Sequence, residues 1–125
     1  MRLKCGGSHA LFGTSSGKVF SYGKNCHFGQ LGLGDVENAQ EITEISNLEH
    51  KIERISCGKE HSLLLSQEGK VFSFGRNDRG QLGLGDLDHR HVPTQILSLD
   101  EIPIIEMSAG GEHSICISGK SEFLI

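Results

Sequence analysis

The feature that most constrains this 125-residue chain is that it repeats itself. Cys57-Gly58-Lys59-Glu60-His61-Ser62 follows Cys5-Gly6-Gly7-Ser8-His9-Ala10 and precedes Ala109-Gly110-Gly111-Glu112-His113-Ser114, which places histidines at 9, 61 and 113, a step of 52. A second block, Gly17-Lys18-Val19-Phe20-Ser21-Tyr22-Gly23, returns at the same step as Gly69-Lys70-Val71-Phe72-Ser73-Phe74-Gly75. A third, Gly29-Gln30-Leu31-Gly32-Leu33-Gly34-Asp35, returns as Gly80-Gln81-Leu82-Gly83-Leu84-Gly85-Asp86 at a step of 51, because the first copy carries one extra residue near Cys26-His27-Phe28. A residue that recurs at a fixed step is first a signature of the fold and only then a candidate site.

Within one period the apolar runs are strand-length: Ile52 to Ile55, Leu63-Leu64-Leu65, Val71 to Phe74, and Ile96-Leu97. Gly, Asp, Asn or Pro bounds each of them. Seventeen glycines against two prolines fit many tight turns between short extended segments. Ser15-Ser16-Gly17-Lys18 and Gln67-Glu68-Gly69-Lys70 sit between two such runs and read as hairpin turns. About four antiparallel strands per period predict an all-β chain, a partial β-propeller of about two four-stranded blades plus flanking part-blades. The expected division is 1–16 as the tail of a preceding repeat, 17–68 and 69–120 as two repeats, and 121–125 as the start of a further one. Such a piece closes no ring, and its end faces need cover. The expectation is a fragment of a longer protein; self-association and an open arc are the alternatives.

Composition narrows the function. A formal charge of −4 with scattered basic residues argues against direct nucleic-acid binding. No run of about 18 apolar residues is present to cross a bilayer, and the N-terminal residues have no stretch of signal-peptide length. A cytoplasmic or nuclear location is expected. Cys5, Cys26, Cys57 and Cys116 form no C-x-x-C pair and read as small buried apolar residues.

Taken together, the string Val71-Phe72-Ser73-Phe74-Gly75-Arg76-Asn77-Asp78-Arg79-Gly80-Gln81-Leu82-Gly83, alternating with Gly-x-x-His-Ser segments over nearly the whole chain, resembles the regulator of chromosome condensation repeat. That resemblance implies a seven-bladed propeller, of which this chain holds about a third. Tyr22 and Phe74 stand where the family often has Trp, and the extra residue near Cys26-His27-Phe28 implies a bulged turn. Pro93 has no counterpart in the first unit, where Gln40 and Glu41 stand. Complete relatives include a guanine-nucleotide exchange factor for the small GTPase Ran that also binds chromatin. Its catalytic wedge is an extended hairpin that neither unit here contains, so no exchange residue is transferred.

Several motifs invite a chemical reading and lose it to the repeat. Cys5-x-x-x-His9 and Cys57-x-x-x-His61 could offer zinc ligands, but Ala109 fills the cysteine slot in the third copy. The histidines are expected to satisfy backbone groups near the glycines. Gly13 to Lys18 has three residues between its glycines where a phosphate loop needs four, Ser118-Gly119-Lys120-Ser121 lacks the first glycine, and Gly32-Leu33-Gly34 is no dinucleotide fingerprint. Gly83 reads as a turn position that needs positive φ, and Asp35 and Asp86 as acceptors in Asx-turns. Glu60-His61-Ser62 is not a triad, since adjacent strand residues point to opposite faces. No catalytic, cofactor or metal site is expected.

One loop differs most between the units and is the candidate partner-binding site: Asp86, Asp88, His89, Arg90 and His91, against Asp35-Val36-Glu37-Asn38 in the first. An acidic or phosphorylated partner would suit its His-Arg-His end. The functional expectation is a non-enzymatic protein-binding propeller module, with a small GTPase among the candidate partners. The alternative is the targeting portion of a larger signalling enzyme or HECT-class ubiquitin ligase.

Overall fold

The computed structural model describes residues 2–25, 28–35, 38–46 and 48–119, and the backbone of 123–124. Alternating apolar residues form eleven strands among these: β1 (Arg2–Cys5), β2 (His9–Gly13), β3 (Val19–Lys24), β4 (Asn38–Glu44), β5 (Ile52–Cys57), β6 (His61–Ser66), β7 (Val71–Gly75), β8 (Arg90–Gln95), β9 (Ile104–Ala109), β10 (Ser114–Ser118) and β11 (Phe123–Leu124). They pair antiparallel into three sheets in chain order, β1-β2-β3-β4, β5-β6-β7-β8 and β9-β10-β11. The chain is therefore all-β, two four-stranded propeller blades followed by a part-blade.

The hairpins form at the Gly-Lys turns. Gly17 and Gly69 take φ of +90° and +85°, and their N–H groups donate to the carbonyls of Thr14 (3.1 Å) and Ser66 (3.0 Å). Only glycine accepts that backbone without strain, which explains why the turn returns unchanged.

The sheets are out of phase with the sequence period by two strands. Residues 17–68 contribute β3 and β4 to the first sheet and β5 and β6 to the second. Residues 2–13 are thus the first two strands of the first blade. Each period ties two neighbouring sheets together covalently.

Between the sheets lie two apolar layers. Leu11 and Val19 of the first sheet, with Ile45 just beyond β4, pack against Ile52, Ile55, Leu64, Phe72 and Phe74 of the second. Leu63, Leu65, Val71, Ile96 and Leu99 pack against Ile104, Met107 and Cys116. Alternation along β6 explains how one strand serves both: Leu64 faces the first sheet, and Leu63 and Leu65 the third. β1 packs on β5 and β5 on β9, so these three strands form the inner edge of the arc.

The cysteines divide by position in this arc. Cys116 is fully buried, Cys57 partly, and Cys5 exposed; all three are free thiols. The expectation of burial fails at Cys5, because no sheet among the described residues covers that side of β1. Burial pushes the thiol pKa of Cys57 up to about 12, with the neighbouring Cys5 adding to the effect, and that of Cys116 to about 11. Cys26, and with it the expected bulge at Cys26-His27, lies outside the described residues.

Candidate docking surface

The repeated histidines are inter-sheet fasteners. His9 Nε2 lies 2.8 Å from Ser62 Oγ, and Ser62 Oγ donates to the Gln30 carbonyl at 2.9 Å. One step on, His61 Nε2 lies 2.9 Å from Ser114 Oγ, which donates to the Gln81 carbonyl at 2.7 Å. A carbonyl oxygen only accepts, so each serine proton is committed to it and the imidazole must donate from Nε2. The Nδ1 atoms of His9 and His61 have no hydrogen-bond partner among the described residues. Burial lowers the pKa of both rings to about 4, which keeps them neutral.

This corrects the expectation that the imidazoles satisfy nearby backbone groups: their partner is a serine in the next sheet. It also gives the adjacent His61-Ser62 pair its meaning. The two side chains point to opposite faces, His61 toward Ser114 and Ser62 toward His9. The serine hydroxyl is buried and bonded away from the imidazole, an arrangement that fastens sheets and activates no nucleophile.

The candidate loop is built on Asn77, which is fully buried. Its Nδ2 donates to Asp86 Oδ1 at 2.9 Å and to the Asp88 carbonyl at 2.9 Å, while its Oδ1 accepts from Leu82 N at 3.0 Å. The Asp88 N–H donates to Asp86 Oδ1 at 3.0 Å, the expected Asx-turn. The equivalent turn at Asp35 ends on residues outside the described set. Arg90 then closes the loop, donating from Nη2 to Asp86 Oδ2 at 2.7 Å and from Nη1 to the Asp88 carbonyl at 2.9 Å. The Arg90 guanidinium, with the Asp88 N–H, holds the Asp86 carboxyl below the usual carboxylate range.

His89 accepts from Asn77 N through Nδ1 at 2.9 Å and meets the Phe28 ring edge-on at 4.9 Å. Arg76 covers Phe28 at 4.8 Å from its ring centroid and is held by Glu60 (2.7 Å) and Asp78 (2.8 Å). The His91 carbonyl accepts from Gly34 N at 2.9 Å. The loop is therefore braced against the first unit, with Asp86, His89 and Arg90 used internally.

Two residues of the loop face water. Asp88 is exposed, and Leu87 is 64% exposed. Val92 (44%) and Leu97 (73%) continue an exposed apolar series along and beyond β8. Sequence reasoning chose the charged residues and missed Leu87 and Val92. The signal available was an apolar side chain inside the most polar segment of the chain. The commitment of Arg90 to Asp86 leaves an acidic partner without the cation expected to receive it.

Among the described residues no group of three or more His, Cys, Asp or Glu could hold a metal ion, and no helix is long and apolar enough to cross a membrane.

Comparison with known proteins agrees with the architecture. The regulator of chromosome condensation (RCC1) repeat family matches residues 16–65 and 68–117. The probable E3 ubiquitin-protein ligase HERC6 of Homo sapiens is 38% identical over 93% of this chain, which spans 12% of that protein. Protein RCC2 of Homo sapiens is 40% identical over 90% of the chain, which spans 22% of it. The crystal structure of human WBSCR16 superposes with a TM-score of 0.90 at 29% identity, covering 98% of this chain and 32% of that one. The His61–Ser114 relay falls inside the matched repeats, as does Ser62 of the first relay, and the chain belongs to the regulator of chromosome condensation repeat family.

Proposed function

We propose that this chain is a non-enzymatic protein-binding propeller module that docks its partner through the 86–92 loop of the second blade. The observation that carries this reading is the contrast inside the loop. Asn77 and Arg90 consume its internal polar groups, while Leu87, Val92 and the Asp88 carboxylate stand outward on that rigid base. A preorganised loop loses little entropy on binding. An exposed leucine beside a carboxylate suits a partner that offers an apolar pocket flanked by a lysine or arginine. The units 17–68 and 69–120 serve as scaffold, and cytoplasmic or nuclear work is the accompanying proposal.

The test uses the native polypeptide that carries this sequence. Leu87→Asp and Asp88→Lys should each weaken the affinity for its partner by about tenfold or more, with the thermal midpoint unchanged. Unchanged affinity in both variants would refute the loop as docking element. Nucleotide release from a panel of small GTPases, with and without the polypeptide, tests GTPase regulation. No acceleration across the panel rejects it.

The relationship to HERC6, a probable E3 ubiquitin-protein ligase by name, favours a second reading. In it the propeller recruits substrate to a ligase domain elsewhere in the same polypeptide. Deleting the propeller would then abolish ubiquitin transfer to the bound partner and leave the ligase domain's self-modification intact.

A further inference from the structure

Each four-stranded sheet ends outward in one strand, β4 in the first and β8 in the second, and the outer backbone of both is unpaired among the described residues. An unpaired strand edge is a template for another strand, and a proline on the edge guards it. The ladders set the two edges in the same register: Thr43 faces Ser21 as Thr94 faces Ser73, and Ala39 faces Gly23 as Arg90 faces Gly75. Ile42 therefore stands at the position of Pro93, a place that sequence spacing assigns to Gln40 and Glu41. β8 is guarded where β4 is open.

The open edge has both backbone donors and charge to offer. Ile45 N donates inward to the Val19 carbonyl at 2.9 Å, so alternation turns the N–H groups of Glu44 and Ile42 outward. Pro93 has no N–H to give at that place. Every residue of β4 except Ala39 is exposed, Ile42 to 57%, whereas β8 is mostly half-buried. Glu41 and Glu44 lie on either side of Ile42 and form no ion pair among the described residues. Lys24, the single cation of β3 and β4, sits at the far end of the ladder opposite Asn38. A second copy of the chain is a poor occupant: pairing β4 with itself about Ile42 and Thr43 sets Glu41 opposite Glu44, and like charges directly opposite destabilise a strand pair.

We propose that β4 binds an extended basic segment of a partner protein, which adds as a further strand to the outer edge of the first sheet. Its carbonyls accept from the Ile42 and Glu44 N–H groups, its lysine or arginine side chains meet Glu41 and Glu44, and an apolar residue covers Ile42. Glu41 and Glu44 lie on opposite faces of the strand, so the segment carries its basic residues at the same spacing of three. The site belongs to a different blade from the 86–92 loop and stands whichever partner that loop binds.

The experiment measures binding and amide hydrogen exchange of the native polypeptide with a capped peptide of valine and threonine that carries two lysines at the Glu41–Glu44 spacing, beside its glutamate counterpart. At about 1 mM the lysine peptide should slow exchange of the Ile42 and Glu44 amides by about tenfold or more, and leave that of Gln95, the counterpart of Glu44 on β8, unchanged. Ile42→Pro should abolish binding with the thermal midpoint unchanged, since the same ladder position in β8 already accepts Pro93. Glu41→Lys/Glu44→Lys should reverse the preference to the glutamate peptide. The proposal is overturned by Ile42 and Glu44 amides that stay unprotected, by an Ile42→Pro chain that binds the lysine peptide as tightly as the native one, or by equal affinity for the two peptides. Protection that rises with polypeptide concentration and needs no peptide would overturn it in favour of a second copy.

Discussion

The seam between the first and second sheets and the seam between the second and third carry the same relay with different apolar filling. Histidine, serine and glutamine carbonyl are spaced within 0.2 Å of one another at the two. The filling changes from Ile55 and Leu64 at the first to Met107 and Cys116 at the second. The difference teaches which part is fixed. A hydrogen bond across the seam has one geometry, whereas an apolar layer needs only the right volume. The polar relay therefore sets the register of neighbouring sheets, and the apolar residues supply most of the adhesion.

Acid should break what the seams share, and it is the largest expected effect. His9 and His61 have folded-state pKa values of about 4 against 6.5 for an ordinary histidine. The unfolded chain thus binds more protons in that window. Their contribution is complete above pH 6.5, falls as pH drops, and is gone at about pH 4, a loss of roughly 3 kcal/mol for each ring. Urea unfolding from pH 7 to 4 should show this slope, and a His9→Phe/His61→Phe double variant should flatten it.

Phe74→Ala breaks one seam and spares the other. The side chain is fully buried in the first layer, and its removal should cost about 3–5 kcal/mol. Met107→Ala at the second seam should cost less, about 2–3 kcal/mol, because a flexible thioether leaves a smaller and more adaptable void. Equal losses in urea midpoint would contradict the larger packing role given to Phe74 than to Met107.

Glycine substitution sharpens the same contrast. Gly32 and Gly83 hold φ of +68° and +69°, a region that costs a β-branched residue about 1–3 kcal/mol. At Gly32 an added Cβ would also press on the Phe74 ring, 2.9 Å away. Gly32→Val and Gly83→Val should therefore each lower the thermal midpoint. A Gly83→Val chain with full stability would refute the turn assignment.

The smallest effect tests the equivalence of the relays. Ser62→Ala and Ser114→Ala each leave an imidazole N–H and a glutamine carbonyl unpaired, at a cost of about 1–3 kcal/mol. The two values should agree within about 0.5 kcal/mol. A larger disagreement would mean that the seams differ in their polar part as well.

The strands, the hairpin turns and the resemblance were legible in the chain because local rules govern them: alternation in Leu63-Leu64-Leu65, positive φ at Gly17 and Gly69. The phase of the sheets was not. A period of 52 reads the same wherever it is cut, and only packing shows that Val19 and Ile52 begin the second half of one sheet and the start of the next. The histidine's partner was hidden by distance, since His9 and Ser62 are 53 residues apart, one repeat and one residue. At the candidate loop the charges could be counted, but the claim that Asn77 lays on Asp86 and Asp88 required coordinates. With Arg90 bonded to Asp86, Leu87 is the residue left facing outward.

The central claim is that each relay runs from imidazole to serine to carbonyl. An imidazole 15N–1H correlation spectrum at pH 7 tests it most directly. The account predicts that His9 and His61 each show a protonated Nε2, a bare Nδ1, and no titration down to about pH 4. A proton on Nδ1, or titration of either ring near 6.5, would contradict it.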